Sequence, residues 1–545
     1  MLKGALIMLS VVAGVMAGYH SGTVWPAFAM ILLAVAVRVM AVRIMRRNLK
    51  YINLTARLHT VWPCLLLCGL ALLSARLSRP LPEELPLRIP CMLSGEVEDG
   101  ETTTMGGRYL VRLHRVRAEG GEELICHNTK VWLFASALHP LEPGDEIRWE
   151  SLLLPTDEQR PGGVRYMAHD MVRIYDGKRH KSSGKERYTL RNGNLTVTGA
   201  SHSLQSMAWR CRYKIAILLE TSGLSDDSAR LLRALITGER SGMRPERRDL
   251  FRDAGVSHTL AVSGMHVGII AGLLIWLTLP LNLLPGAGRW RLVPVLAGVW
   301  LFTIFTGMMY STLRAALMIT LAGVGRLMGR NVTPFYGVCM AGVVILLLAP
   351  EALWDVGFQL SFLCVAGLCL FMQPLNPVNM RHHKRLYGVV SMMLVTLVAT
   401  GMTWPVTARY FGAIPLNFMF CNFVMAPILP VLMMAGMAHI LLVACGVQWE
   451  WLAWGIDHLV QILYAVLETG GQHVLDLSPS GWTVTLWLAA VALFAFGIHR
   501  HRCVPRWLPG AIVAPVARRA DGGVPLYRPP LYAAALLALL ALILV

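Results

Sequence analysis

The chain has 545 residues, of which 55% are hydrophobic and only 15% charged, and its mean hydropathy is +0.53. Soluble domains are about a quarter charged, so an ordinary soluble enzyme is excluded. The formal net charge of +18 suits nucleic acid, anionic lipid or basic loops beside membrane spans, and the placement of the arginines favours the loops.

Three apolar runs come first, near 2–18, 24–42 and 60–76. The first resembles a signal peptide headed by Lys3, but a second run follows almost at once, so a membrane hairpin is expected. Residues 1–78 are therefore read as N-terminal transmembrane helices. Hydropathy then falls over 79–203. Within it, RYLVRLHRV (Arg108 to Val116) and KVWLFA (Lys130 to Ala135) alternate apolar and polar side chains. Gly106-Gly107, Gly120-Gly121 and Pro143-Gly144 punctuate them. This pattern predicts a small all-β domain, most simply a five-strand barrel or sandwich of the OB-like kind. Such a barrel can bind single-stranded nucleic acid along a strand face. The region from Ile174 to Ser203 reads as an exposed hairpin or linker.

Residues 204–255 predict amphipathic interfacial helices, in which Glu239, Arg240 and Arg252 are candidates for a channel mouth. Residues 256–498 predict a transmembrane channel domain. A basic cytoplasmic loop at 499–530 and a C-terminal transmembrane helix at 531–545 complete the chain. With the basic clusters placed in the cytoplasm, the topology has about thirteen spans, the N-terminus inside and the β domain outside. Pro415 to Val447 then crosses once, although Pro427 and Pro430 could break it into a re-entrant pair. Among the eleven cysteines, Cys91 and Cys126 fall in the polar region placed outside and form a candidate disulfide.

The segment GVSHTLAVSGMHVGII, Gly255 to Ile270, is the richest in chemistry. On a helix at about 100° per residue, His258, Thr259, Ser263 and His266 would share an arc of roughly 140°. Gly264, Gly268 and Gly272 would lie on another face, bare enough for a neighbouring helix to approach. Polar groups in lipid should face a cavity or a second helix, so this division suggests a conduit or a buried membrane site. Arg314 lies within a span and needs a partner. Glu351, Asp355 and Gln359 at i, i+4 and i+8 would share a helix face, and Asp355 or Glu351 is the expected counter-ion.

Other chemistries find little support. The two histidines at i, i+8 would be about 12 Å apart along a helix, too far for one metal ion. Ser263 lacks a GxSxG elbow and an acid to orient His266, and no phosphate-binding loop occurs. No cofactor and no metal are expected, and the chain is not expected to be an enzyme.

Four motifs in order resemble the ComEC-type competence channel family. They are Gly238-Glu239 with Phe251-Arg252 and Ser257 to Gly268, then STLRAALMITLAGVGRLMGR, then PEALWDVGFQLSF, and PGGVRYMAHDMVR (Pro161 to Arg173) at the close of the β domain. The resemblance runs from about residue 90 to 445. It implies an α-helical polytopic protein of the bacterial plasma membrane with an inserted extracytoplasmic OB-like domain. It also implies passage of one DNA strand inward during natural transformation. The implied partners are single-stranded DNA, the lipid bilayer, a DNA receptor, and a cytoplasmic motor or DNA-binding competence proteins. A separate nuclease and a homodimer are compatible with it. By this resemblance His258, Thr259, Ser263, Gly264, His266 and Gly268 belong to the channel module, with Arg314, Asp355 and Gln359 supporting or lining it. Many family members continue into a metallo-β-lactamase-like domain. Its HxHxDH signature is absent here, so no nuclease activity is expected from this chain. The alternatives are a small-solute or lipid-linked-polymer transporter and, more remotely, an intramembrane hydrolase.

Overall fold

A computed structural model describes residues 2–491 apart from short segments, the longest being 79–88, 156–165 and 376–383. The expected basic loop at 499–530 and final helix at 531–545 lie outside the described residues.

The chain opens with three helices: α1 (Leu2–His20), α2 (Trp25–Arg47) and α3 (Ile52–Ser78). They pack together because small residues let their backbones meet. Side chains at Gly14 and Gly18 would run into the carbonyls of Cys68 and Leu72 on α3, the close approach that membrane helices use in place of a hydrophobic drive.

The polar region folds into strands. These are β1 (Pro90–Thr103), β2 (Gly106–Ala118), β3 (Glu123–Ala135), β4 (Asp145–Leu152), β5 (Leu154–Pro155), β6 (Tyr166–His169), β7 (Met171–Arg179), β8 (Glu186–Asn192) and β9 (Thr196–Ala200). Seven strands form one sheet in the order β5-β6-β3-β2-β1-β4-β9, and β7 pairs with β8 as a separate hairpin. All pairs are antiparallel except β3 with β6. The strand count is therefore seven rather than the five expected, and β5 follows β4 after one residue and pairs with β6, so the ladder from β1 through β2, β3 and β6 comes back to the strand beside β1. Around 174–203, read as a hairpin or linker, β7 and β8 form a hairpin and β9 joins the main sheet against β4. Register shifts in β1 and β2 bend these long strands, as bulges do. Leu93, Tyr109, Val111, Leu133, Ile147 and Trp149 then share one buried core. Period-two alternation places Arg108, Arg112, Lys130 and Trp132 on the opposite face. There Arg108 stacks on the Trp132 ring at 4.3 Å, and Arg112 and Lys130 both pair with Glu98.

Cys91 and Cys126 are both buried in the β core. The Cys91 thiol donates to the Ile89 carbonyl at 3.1 Å, and burial raises its pKa above the ordinary thiol value.

Helices resume with α4 (Leu204–Glu220), α5 (Asp226–Thr237), α6 (Pro245–Asp253), α7 (Gly264–Leu277), α8 (Leu292–Phe305), α9 (Tyr310–Leu327), α10 (Pro334–Leu348), α11 (Val356–Leu375), α12 (Lys384–Phe411), α13 (Phe418–Ala444) and α14 (Glu450–Gly470). Short strands Ala413–Pro415 and Val474–Asp476 pair near the end. Trp209 on α4 donates to the Gly100 carbonyl of β1 at 3.4 Å, tying the β region to the helices.

Among the described residues three segments are long and apolar enough to cross a membrane: Gly264–Leu283, Leu386–Tyr410 and Phe418–Ala444. α13 is a single helix of 27 residues through both Pro427 and Pro430, not a broken pair of helices. α5 is amphipathic as expected. Its apolar face does not stop at a surface, however. Leu231, Leu232 and Leu235 enter a core with Phe251 of α6, Leu429 of α13 and Leu463 of α14. Phe251 is completely buried there. Phe251→Ala should cost about 3–5 kcal/mol of stability, the range for emptying such a site. Thermal unfolding of the detergent-solubilised chain would measure it.

Candidate functional site

The segment from Gly255 to Ile270 is not one helix. Ser257–Thr259 forms a single 3-10 turn, the chain leaves helical geometry at Ser263 (φ −116°, ψ 173°), and α7 starts at Gly264. The shared arc is therefore corrected. His258 is exposed on the turn, whereas Thr259 is buried with its hydroxyl on the Val256 carbonyl at 2.7 Å. The residue types explain the break. A serine followed three residues later by a side chain that can accept a hydrogen bond satisfies helix-end amides better than a continued helix does.

Ser263 and His266 make that cap. Ser263 Oγ accepts the Met265 amide at 3.3 Å. His266 Nδ1 accepts the Ser263 amide at 3.2 Å and lies 3.0 Å from Ser263 Oγ. The serine–histidine contact that a hydrolase would need is therefore present, but in the service of a helix end. Nδ1 is the acceptor of a backbone N–H, and no acid is hydrogen-bonded to His266 among the described residues. No group of three or more metal-ligating side chains occurs among them either.

The glycine face is also corrected. Side chains built at Gly268 and Gly272 would meet nothing within 4 Å, so none of the described helices packs closely there. Gly264 differs: its absent Cβ would sit 2.9 Å from Nη2 of Arg314. Arg314, on α9, is 4% exposed. Its Nη1 donates to the carbonyl of Ser361 on α11, and its guanidinium lies 5.7 Å over the Phe362 ring. Nε has no hydrogen-bond partner. Among the described residues Arg314 makes no ion pair.

Of the expected counter-ions, Asp355 is engaged elsewhere. Pro350–Trp354 is a 3-10 turn and Asp355 is extended at its end. Glu351, Asp355 and Gln359 therefore share no helix face. The Asp355 carboxylate caps α11 by accepting the Phe358 amide at 2.7 Å. Gln359 Nε2 donates to the Leu353 carbonyl at 2.8 Å, holding the same turn.

These contacts bring the starts of three helices together. Ser311 at the start of α9 donates to the Val262 carbonyl, just before α7, at 2.6 Å. Tyr310 meets Phe358 of α11 edge-on, ring centres 6.2 Å apart. Non-helical backbone thus precedes α7, α9 and α11 in a single layer. Such backbone is tolerated at membrane depth only where protein or a cavity surrounds it.

The candidate mouth residues sit beside this layer. Arg240 Nε donates to the Leu260 carbonyl at 3.1 Å. Glu239 pairs with Arg233 at 2.7 Å. Arg252 is half exposed and pairs with Asp249 and Asp253. Ser311, Ser361 and Phe362 were not singled out from sequence. Two of them act through contacts with distant backbone, which no spacing announces.

A family model described as Competence protein matches residues 235–501. This range contains three of the four motifs and leaves out Pro161 to Arg173. The chain is 25% identical over 313 residues to ComE operon protein 3 of Bacillus subtilis (strain 168), covering 56% of this chain and 38% of that protein. It is 31% identical over 190 residues to Competence protein ComA of Neisseria gonorrhoeae, covering 34% and 26%. It is 27% identical over 214 residues to the uncharacterized protein YcaI of Escherichia coli (strain K12), covering 37% and 28%. The matches thus span well under half the length of each relative. No solved structure matches.

Two outcomes check the geometry. Ser263→Ala should cost about 1 kcal/mol through the lost cap, while Ser263→Asp should retain most of it; thermal unfolding would show both. A serine-reactive fluorophosphonate should leave Ser263 unlabelled. For Arg314, the double exchange Arg314→Asp with Asp355→Arg should be no more stable than the worse single variant. Rescue by the double exchange would restore the ion pair that the geometry lacks.

Proposed function

We propose, from the match of residues 235–501 to the competence protein model, that this chain carries one strand of DNA across the bacterial plasma membrane during transformation. The strand would meet the β region outside, pass the layer where α7, α9 and α11 begin, and leave beside the basic loops on the cytoplasmic side. The printed names of the Bacillus and Neisseria relatives support a place in competence.

The observation that carries the reading is the polar layer itself. His266 and Arg314 are buried near the starts of α7 and α9, and Thr259 is buried on the turn that precedes α7, in a region otherwise rich in apolar side chains. A membrane helix bundle gains nothing in stability from an uncompensated arginine, so a polar layer of this kind marks a pathway or a site. In the described conformation the layer is closed, since these side chains are shielded from solvent. Transport then requires the helix starts to separate. The breaks before α7, α9 and α11 are where backbone dihedrals can change without unwinding a helix.

The β region suits the entry. Arg108 on Trp132, with Arg112 and Lys130 alongside, combines an aromatic surface with cations, the pairing that holds single strands without reading their sequence. Glu98 beside Arg112 and Lys130 moderates the charge. Weak, distributed contacts of this sort let a polymer slide.

The chain in liposomes tests the reading. Single-stranded DNA should enter vesicles containing the wild type, while duplex DNA should not. Arg314→Gln and His266→Ala should each lower the flux by about tenfold, equivalent to roughly 1.4 kcal/mol at the limiting step. In cells, deletion should abolish transformants while leaving DNA bound at the surface. Normal transformation with lost growth on a single solute would instead favour the small-solute transporter.

A further inference from the structure

Arg314 is a buried cation for which the described residues supply no anion. The removal of water from a guanidinium is costly unless a charge or a full set of acceptors replaces it. One carbonyl, Ser361 O, and one ring face, Phe362, are what it has. Nε is buried and has no hydrogen-bond partner. Asp355, the acid expected to neutralise it, is engaged in capping α11.

Its position adds a second observation. The guanidinium lies against Gly264, the first residue of α7, where even a methyl group would collide with Nη2. The starts of α7 and α9 meet where Ser311 donates to the Val262 carbonyl, so the positive ends of these two helices lie beside the guanidinium. α9 has no side-chain cap. Gly264 is half exposed and Met265 exposed, so the guanidinium lies close beneath an accessible helix end. Arginine presents a planar fork that fits two oxygens of a phosphate group.

We propose that Arg314, at the amino ends of α7 and α9, is a phosphate-binding station that engages the strand one phosphodiester at a time. The ligand is an oxyanion of a phosphate ester; the Ser361 carbonyl holds its place in the closed conformation and is exchanged for it on opening. This rests on the transport reading for the identity of the strand, and on Arg314 alone for the chemistry. A single station of this type suits transport, because one phosphate held and released resists trapping better than a row of fixed cations.

The test uses the full chain in phosphatidylcholine nanodiscs and the binding of a short oligothymidylate from low to high sodium chloride. Each phosphate neutralised contributes about 0.7 to the log–log salt slope for single strands. Arg314→Gln should therefore reduce the slope by about 0.7 and weaken binding at low salt by about tenfold. Arg314→Lys should keep the slope and bind more weakly than the wild type, because a lysine gives up the two-oxygen fork. An uncharged methylphosphonate oligomer should bind wild type and Arg314→Gln equally.

An unchanged slope in a folded Arg314→Gln protein would overturn the station. Should that variant fail to fold, a wild type that binds the methylphosphonate oligomer with the phosphodiester's salt slope would overturn it equally. A difference between wild type and variant that appears only when phosphatidylglycerol is added would identify the anion as a lipid headgroup and overturn the strand assignment. The transport reading is judged separately. Flux lost in Arg314→Gln with an unchanged slope removes the station and keeps transport. A changed slope without flux in the wild type keeps the anion site and removes transport.

Discussion

A guanidinium withdrawn from water must be given other contacts, and the contacts given to Arg314 organise the centre of this protein. Its carbonyl partner lies on α11, its nearest helix end belongs to α7, and its own helix is α9. Three helices separated by long stretches of sequence are thereby held at one level. The Ser311 hydroxyl on the Val262 carbonyl and the Tyr310–Phe358 contact reinforce the same alignment. Each of these interactions reaches backbone or ring rather than a complementary charge. The layer is thus fixed in geometry while its electrostatic demand remains open to an incoming anion.

The capping chemistry around this layer explains why it is not a hydrolytic site. Ser263 and His266 are within 3.0 Å of one another, but each also satisfies an amide at the start of α7. A helix end that stabilises itself in this way can be strict about position and still lack the third group that catalysis by a serine needs. Asp355 plays the same part for α11. Hydrogen-bonding side chains have gone to helix ends, and among the described residues the charge of Arg314 is left in the middle without an ion pair.

The legibility of the sequence differed from element to element. The helices were visible as apolar runs, and α13 stays one helix despite two prolines because a proline-disrupted helix can be supported by its neighbours. The β region was legible as strands from its alternation, but strand number and order were not, since pairing partners are set by contacts far apart in sequence. Cys91 and Cys126 share one core, a proximity that spacing does not contain. The polar residues of Gly255 to Ile270 were rightly singled out as unusual in an apolar setting. Their placement on one helix was wrong because period counting assumes an unbroken helix, and Ser263 ends that assumption.

The sequence by itself determined the composition of a membrane protein, the strand-rich region, the motifs within residues 235–501 that match the competence protein model, and the presence of an arginine inside an apolar helix. These are local properties, written in periodicity and residue type. Only the tertiary structure decided which group answers that arginine. Asp355 and Glu351 were near enough in pattern to be chosen, yet backbone geometry turned Asp355 onto its own helix and brought the Ser361 carbonyl to Arg314 instead. A carbonyl is carried by every residue and leaves no mark in a sequence, so a partner of that kind becomes visible only when the helices are set side by side.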